Sequence, residues 1–180
     1  MLDVLYIMAK VKPTEYKYFK CIIDSIIILL PNTRFIHLLN TFQNDYPIDS
    51  HTMLFKWVFK LDQYICFIER CSTPPKFDMI EERYSKNKID KTRWARPYWK
   101  LIHMVSDHIP RNPNENIRIV YTAFVVSIRQ MIPCEKCRFH MQQYIASHPI
   151  FKSWNDIGGY MVDFHNDVNK RLGKPKFVRR

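Results

Sequence analysis

Glycine is nearly absent from this chain, at 3 of 180 residues. Strand-and-turn architectures draw on glycine for tight turns, so its scarcity beside 47% hydrophobic residues favours long helices. No apolar run approaches the roughly 20 residues that cross a bilayer. The greasiest stretch, Cys21 to Leu30, contains Asp24 and stops at Pro31, which suits a buried helix rather than an anchor. A secretory signal is also lacking: Met1 to Lys10 has no basic leading segment and includes Asp3. Internal repeats and low-complexity tracts are absent, which excludes solenoids and disordered tails. A second C-x-x-C is missing too, which counts against a four-ligand zinc site.

What is present is unevenly distributed. Residues 1–90 hold 12 Lys and Arg against 11 Asp and Glu, a balance of +1, whereas residues 91–180 hold 16 against 6, a balance of +10. The basic half suits a nucleic-acid surface, an acidic partner or a phosphate-bearing cofactor, or it is simply a solvated surface. That same half contains Pro133-Cys134-Glu135-Lys136-Cys137. Two cysteines three apart can close a disulfide across one helical turn, and the unpaired amides of a helix start favour a thiolate there. Pro133 fits just before such a start. Alone, the spacing leaves a redox pair, half a zinc site and coincidence all open. Five cysteines are an odd number, so at least one stays outside any intramolecular disulfide.

Apolar spacing predicts helices over about 14–30, from Thr33 to about Phe42, from Ser50 or Thr52 to Cys71, from Thr92 to about Ile109, from Asn114 to Ile132, from the cysteine pair to Ser147, and from Ser153 to Leu172. Thr33 and Asn114 are predicted N-caps, and Gly173 a stop signal. The charged stretch 81–93 reads as a connector, with a boundary near residue 90. The last four helices, joined by short turns, predict an up-and-down four-helix bundle. The fold class is therefore all-α: a bundle preceded by a helical N-terminal region.

Two polar stripes stand out where a purely structural bundle would place aliphatic residues. Arg96, Trp99 and His103 share one helical face, and His165, Asn169 and Leu172 share another. Each residue alone reads as core or capping; together, flanking a helix-initial cysteine pair, they suggest a planar polar ligand in the bundle.

At these residues the chain resembles a known family. Arg96-Pro97-Tyr98-Trp99-Lys100-Leu101-Ile102-His103 is similar to the R-x-x-W-x-x-[LI]-H segment of the Erv/ALR family of FAD-linked sulfhydryl oxidases. Pro133-Cys134-Glu135-Lys136-Cys137 resembles its active-site C-x-x-C, and His140 with Tyr144-Ile145 continues the similar helix. The run His165-Asn166-Asp167-Val168-Asn169-Lys170-Arg171-Leu172-Gly173-Lys174-Pro175 is similar to its H-N-x-V-N-x-x-L-x-K-P segment. The likeness covers about Arg93 to Phe177, in the family's order and approximate spacing.

The resemblance implies FAD held with its ring system against the disulfide. It implies that Arg96, Trp99, His103, Cys137, Tyr160, His165, Asn166, Val168, Asn169, Leu172 and Lys174 lie at or near the flavin. Electrons would pass from a protein dithiol through Cys134–Cys137 to FAD and then to O2, giving H2O2. Cys134 would face the substrate, possessing the interchange role, and Cys137 the ring. Tyr160 stands where the family usually has Trp, and Gly158-Gly159 precedes it, expected to bend or delay the helix. The sequence ends at Arg180, so the family's cysteine-bearing tail and its adenine contacts are expected to be absent or replaced. Expected organisation is 1–90 as a helical region, 91–177 as the oxidase domain and 178–180 as a basic tail.

Cys66 and Cys71, at the end of a predicted helix, are a candidate shuttle pair between substrate and bundle; buried free thiols are the other reading, and Cys21 reads as core. Expected partners are protein dithiols, a thioredoxin-like or viral redox protein among them, O2 and a second copy of the chain. No metal is expected. Expected locations are a host cytoplasm or virion for a virus-encoded oxidase, otherwise the mitochondrial intermembrane space. Two non-enzymatic alternatives remain: a zinc-stabilised module using Cys134 and Cys137 with Cys66, Cys71 or His140, and a basic nucleic-acid-binding domain, for which no recognised motif is present.

Overall fold

The computed structural model describes residues 1–85 and 93–179. The boundary expected near residue 90, the helix start expected at Thr92 and the final residue of the basic tail lie outside the described residues. Among the described residues every regular element is helical: α1 (Leu2–Val11), α2 (Tyr16–Leu29), α3 (Arg34–Asp45), α4 (Leu54–Glu69), α5 (Phe77–Arg83), α6 (Ala95–Asp107), α7 (Glu115–Met131), α8 (Glu135–Ser147) and α9 (Ile157–Arg171), with a 3-10 turn at Ile150–Lys152 before α9.

Local chemistry sets these boundaries. Thr33 Oγ1 accepts from the Ile36 amide at 3.3 Å, and Asn114 Oδ1 from the Ile117 amide at 3.0 Å, so each caps its helix through its side chain. α4 begins at Leu54, later than expected, because Thr52 is spent in the preceding turn, where its hydroxyl accepts from the Asp49 amide at 2.8 Å. α9 also begins late. Asp156 caps it, accepting from the Gly159 amide at 2.8 Å, and a Cβ on Gly159 would collide with that carboxylate. The glycine pair thus belongs to the first turn and marks the start. Gly173, at φ +63°, stops the helix at the other end.

Two helices depart from the sequence reading. α1 occupies residues read above only for an export signal, and α5 starts ahead of the expected connector. Val4 through Ala9 of α1 are all buried, so that helix has no polar face to create a period.

The core runs through the whole described chain. α2 packs along α7, α1 lies on α4 and touches α6, α6 packs on α9, and α7 meets α8. Phe19, Ile22, Ile23 and Ile26 of α2 are fully buried, as are Tyr121 and Phe124 of α7. Each such side chain contributes about 1.5–3 kcal/mol on leaving water. The N-terminal helices therefore share one hydrophobic cluster with α6–α9. No helix among the described residues is long and apolar enough to cross a membrane.

Candidate active site

Cys134 is the N-cap of α8, and its sulfur accepts from the Cys137 amide at 3.2 Å. The two sulfurs are bonded, with Cα atoms 5.2 Å apart, within the usual range for a disulfide. Both residues are partly buried against the core. The preceding loop is held from two sides. Tyr98 of α6 donates to the Met131 carbonyl at 2.6 Å, and Arg138 donates to the Ile132 carbonyl at 2.7 Å. Burial keeps the Tyr98 phenol protonated far above its ordinary range, so that donor is permanent. The disulfide thus sits at the positive end of a helix dipole on a clamped backbone, where an outgoing thiolate is favoured.

The two polar stripes meet. Trp99 and His165 stack with centroids 4.0 Å apart and planes within 7°. His103 Nε2 lies 2.9 Å from His165 Nδ1, a pair that shares one hydrogen between two nitrogens. Burial lowers the pKa of both imidazoles: His165 falls to about 4, with His103 and Lys174 adding to the effect, and His103 falls despite the opposing charge of Asp107. His103 Nδ1 is buried with no hydrogen-bond partner. Such an orphan, beside a flat aromatic and imidazole surface, fits a planar ligand with polar edges.

α9 connects this stack to the disulfide's helix. Phe164 lies 5.4 Å from Trp99 on one side and 4.7 Å from Tyr144 of α8 on the other. Tyr160 packs on Tyr144 at 5.7 Å and donates to the His148 carbonyl at 2.7 Å. Two clefts lie beside α9. One, of about 670 Å3, is lined by Tyr144, His148, Tyr160 and Arg179 among others; the second, of about 460 Å3, is lined by Asn166, Asp167, Lys170, Lys174 and Lys176.

Other expected site residues are placed differently from one another. Asn166 is spent on the C-terminal strap: it accepts from the Phe177 amide at 2.7 Å and donates to the Phe177 carbonyl at 3.2 Å. Asn169 donates to the Pro175 carbonyl at 3.0 Å. Val168 packs on the core, Arg96 is exposed and Leu172 is 61% exposed. Two features escaped the sequence reading. Phe177 stacks on both His103 and His165, at 4.4 and 4.5 Å, and an aromatic two residues past Pro175 was the available signal. His140 pairs with Asp167 across α8 and α9 at 2.7 Å.

The second cysteine pair lies elsewhere, at the end of α4. Arg70 turns into the left-handed region, at φ 52°, and the Cys71 amide donates back to the Cys66 carbonyl at 3.0 Å. This helix-ending turn brings the two Cα atoms to 5.1 Å, and the sulfurs are bonded. Cys66 is buried and Cys71 exposed. Cys21 is unpaired.

Comparison with known proteins bears on residues 96–180, which match the family model described as the Erv1 / Alr family. An FAD-linked sulfhydryl oxidase of invertebrate iridescent virus 6 is 32% identical over 95 residues, 48% of this chain and 86% of the relative. The mitochondrial FAD-linked sulfhydryl oxidase of Saccharomyces cerevisiae is 32% identical over 89 residues, 49% of this chain and 47% of the relative. A third, an FAD-linked sulfhydryl oxidase of invertebrate iridescent virus 3, is 30% identical over 95 residues, 51% of this chain and 64% of the relative. The chain thus spans less than two thirds of the yeast and iridescent virus 3 proteins. No solved structure matches. Given the model match and near-complete coverage of the iridescent virus 6 protein, the chain belongs to the Erv1/Alr family.

Proposed function

We propose that the chain is an FAD-dependent thiol oxidase forming disulfides in protein substrates, with residues 91–177 as the oxidase domain and 1–90 as a helical region set against it. One juxtaposition supports this most. The helix that the disulfide begins, α8, meets through Phe164 of α9 a flat Trp99–His165 stack beside a buried, unpartnered His103 nitrogen. A flavin ring suits that set: Trp99 offers an aromatic surface backed by His165, His103 Nδ1 a polar contact, and Lys174 and Arg96 positive charge for a pyrophosphate. Bound FAD would supply a two-electron acceptor and the route to O2, with H2O2 as product.

The chain's own residues perform the exchange. A substrate thiolate attacks Cys134 Sγ, the Cys134–Cys137 bond breaks, and Cys137 leaves with the electron pair. A second substrate thiolate then attacks the mixed disulfide, so that the substrate departs oxidised and the pair is reduced. The positive end of the α8 dipole favours a thiolate at either cysteine of its first turn, and the sulfur–amide bond seen there is made to Cys134. Cys66 and Cys71 are the proposed shuttle, with an outside thiolate entering at exposed Cys71. A homodimer remains part of the proposal, but α2 already covers the apolar face of α7, so a second copy would use another surface.

The test is one absorbance spectrum followed by oxygen uptake. Purified protein is expected to carry or reconstitute FAD and to consume O2 with dithiothreitol. Colourless protein that fails to take up FAD overturns the reading.

A further inference from the structure

The polar contact between α8 and α9 takes no part in the exchange described above. His140 Nε2 lies 2.7 Å from Asp167 Oδ2, and the imidazole is only 13% exposed. The carboxylate oxygen is an acceptor, so Nε2 carries the hydrogen, and in a neutral imidazole with that tautomer Nδ1 is the nitrogen that accepts a proton. Among the described residues no protein group bonds to Nδ1. His140 follows Cys137 by three positions on α8, which makes the two side chains neighbours on the helix, with about 5–6 Å between Cβ atoms. His140 also borders the aromatic side of the site, 5.9 Å from Phe164. Docking α8 on α9 does not require an ionisable pair, because Tyr144 already packs there on Tyr160 and Phe164.

We propose that His140, oriented by Asp167, is the proton acceptor for Cys137; the inference rests on the thiol-exchange reading of the site. The Cys137 S–H bond breaks, its electron pair stays on sulfur, and the proton forms a new bond to His140 Nδ1. The Asp167 carboxylate balances the resulting imidazolium, and the proton later passes to water. Other charges surround the pair. Asp163 and Asp167 both act on the neighbouring Tyr144 phenol, Lys170, Lys174 and Lys176 line the cleft beside Asp167, and Lys136 and Arg138 flank Cys137 along α8. Arg138 is engaged with the carbonyls of Ile132 and Pro133. Glu135 is the acidic group in the first turn, and His140 is the nearest imidazole along the helix to the Cys137 sulfur, placed to keep it a thiolate once the disulfide has opened.

The experiment reads the thiol itself. In reduced protein carrying Cys134→Ser, iodoacetamide alkylation of Cys137 is followed by peptide mass spectrometry across pH, with and without added FAD. His140→Gln is expected to move the alkylation midpoint upward and slow reaction at neutral pH about tenfold, the equivalent of one pH unit. Asp167→Asn keeps a hydrogen-bond acceptor but loses the charge, and is expected to slow alkylation about threefold; Asp167→Glu restores it. Superimposable profiles for His140→Gln and Asp167→Asn overturn the proposal, whatever happens to the melting temperature. Should His140→Gln fail to fold, the Asp167→Asn and Asp167→Glu pair decides alone. A protein that never binds flavin defeats the oxidase reading but leaves this titration standing, so the two failures are distinguishable.

Discussion

Cys66 and Cys71 join at the C-terminal end of α4, whereas Cys134 and Cys137 join at the N-terminal end of α8. Their Cα separations are nearly equal, 5.1 and 5.2 Å, so Cα spacing does not set them apart. The helix dipole does. Unpaired amides at the start of α8 stabilise a thiolate, and unpaired carbonyls at the end of α4 oppose one. A pair whose thiolate form is stabilised holds its reduced state better and is the stronger oxidant. In the proposed shuttle, electrons would therefore run downhill from a Cys66–Cys71 dithiol to the Cys134–Cys137 disulfide. Exposure points the same way, since Cys71 faces solvent while Cys134 and Cys137 are partly covered.

Cysteine replacement tests this contrast with the largest expected effect. Cys134→Ser or Cys137→Ser should lower oxygen uptake by more than about a thousandfold with dithiothreitol and with reduced protein alike, because the proposed exchange runs through that disulfide. Cys66→Ser with Cys71→Ser should leave dithiothreitol turnover intact and lower turnover of a reduced protein about tenfold. Full protein-dithiol turnover in that double variant would remove the second pair from the electron path.

The next test asks whether the two halves are mechanically separate. Ile26 of α2 is fully buried, and α2 packs along α7. Ile26→Ala should cost about 3 kcal/mol in urea unfolding, from lost transfer energy and the cavity left behind. Because the core is continuous, hydrogen exchange should quicken in α7 as well as in α1–α4. Loosening confined to the N-terminal helices would show that 1–85 folds apart from the bundle.

The same contrast explains what could be read without coordinates. α7 was legible because one face repeats Ile117, Val120, Tyr121, Phe124, Val125 and Ile128 behind a capping Asn114. α1 was not, since residues Val4 through Ala9 are buried on all sides and carry no period. Trp99, His103 and His165 were legible as stripes, but their order in the stack is a tertiary fact. His140 and Asp167 lie 27 residues apart, and nothing local in either segment marks them as partners. Cys66 and Cys71 were visible as spacing alone; the left-handed Arg70 that brings them together leaves no glycine signature.

Acid should act on the two halves with opposite sign. In the folded state His165 has a pKa of about 4 against an ordinary 6.5, so the unfolded chain binds more protons in that window. Stability there falls as pH drops from 6.5 towards 4. Allowing for solvent screening of a partly exposed ring, the loss is about 1.5 kcal/mol. Asp62, beside Tyr6 in the N-terminal half, is shifted the other way, its carboxyl raised above 3.8 chiefly by burial. Its contribution is present on the acid side and is lost as pH rises through the folded value. Urea unfolding across pH 4–7 should show the acid limb flatten in His165→Phe, and an unchanged limb would remove His165 as its source.

The smallest effect compares the two helix caps. Thr33 in the N-terminal half and Asn114 in the bundle perform the same task, with bonds of 3.3 Å to Ile36 and 3.0 Å to Ile117. Alanine at either position leaves an amide near the helix start without its partner. Asn114→Ala should cost about 1 kcal/mol and Thr33→Ala about half that, since asparagine is the stronger cap and its bond is shorter. With one shared core, each loss appears in full in global unfolding even though the caps sit in different halves. The double variant should then lose the sum of the two, as independent sites in a single cooperative unit do. If Thr33→Ala instead split the melt into two transitions, α1–α4 would have to unfold while the bundle persists, and α2 could not be the cover that α7 requires.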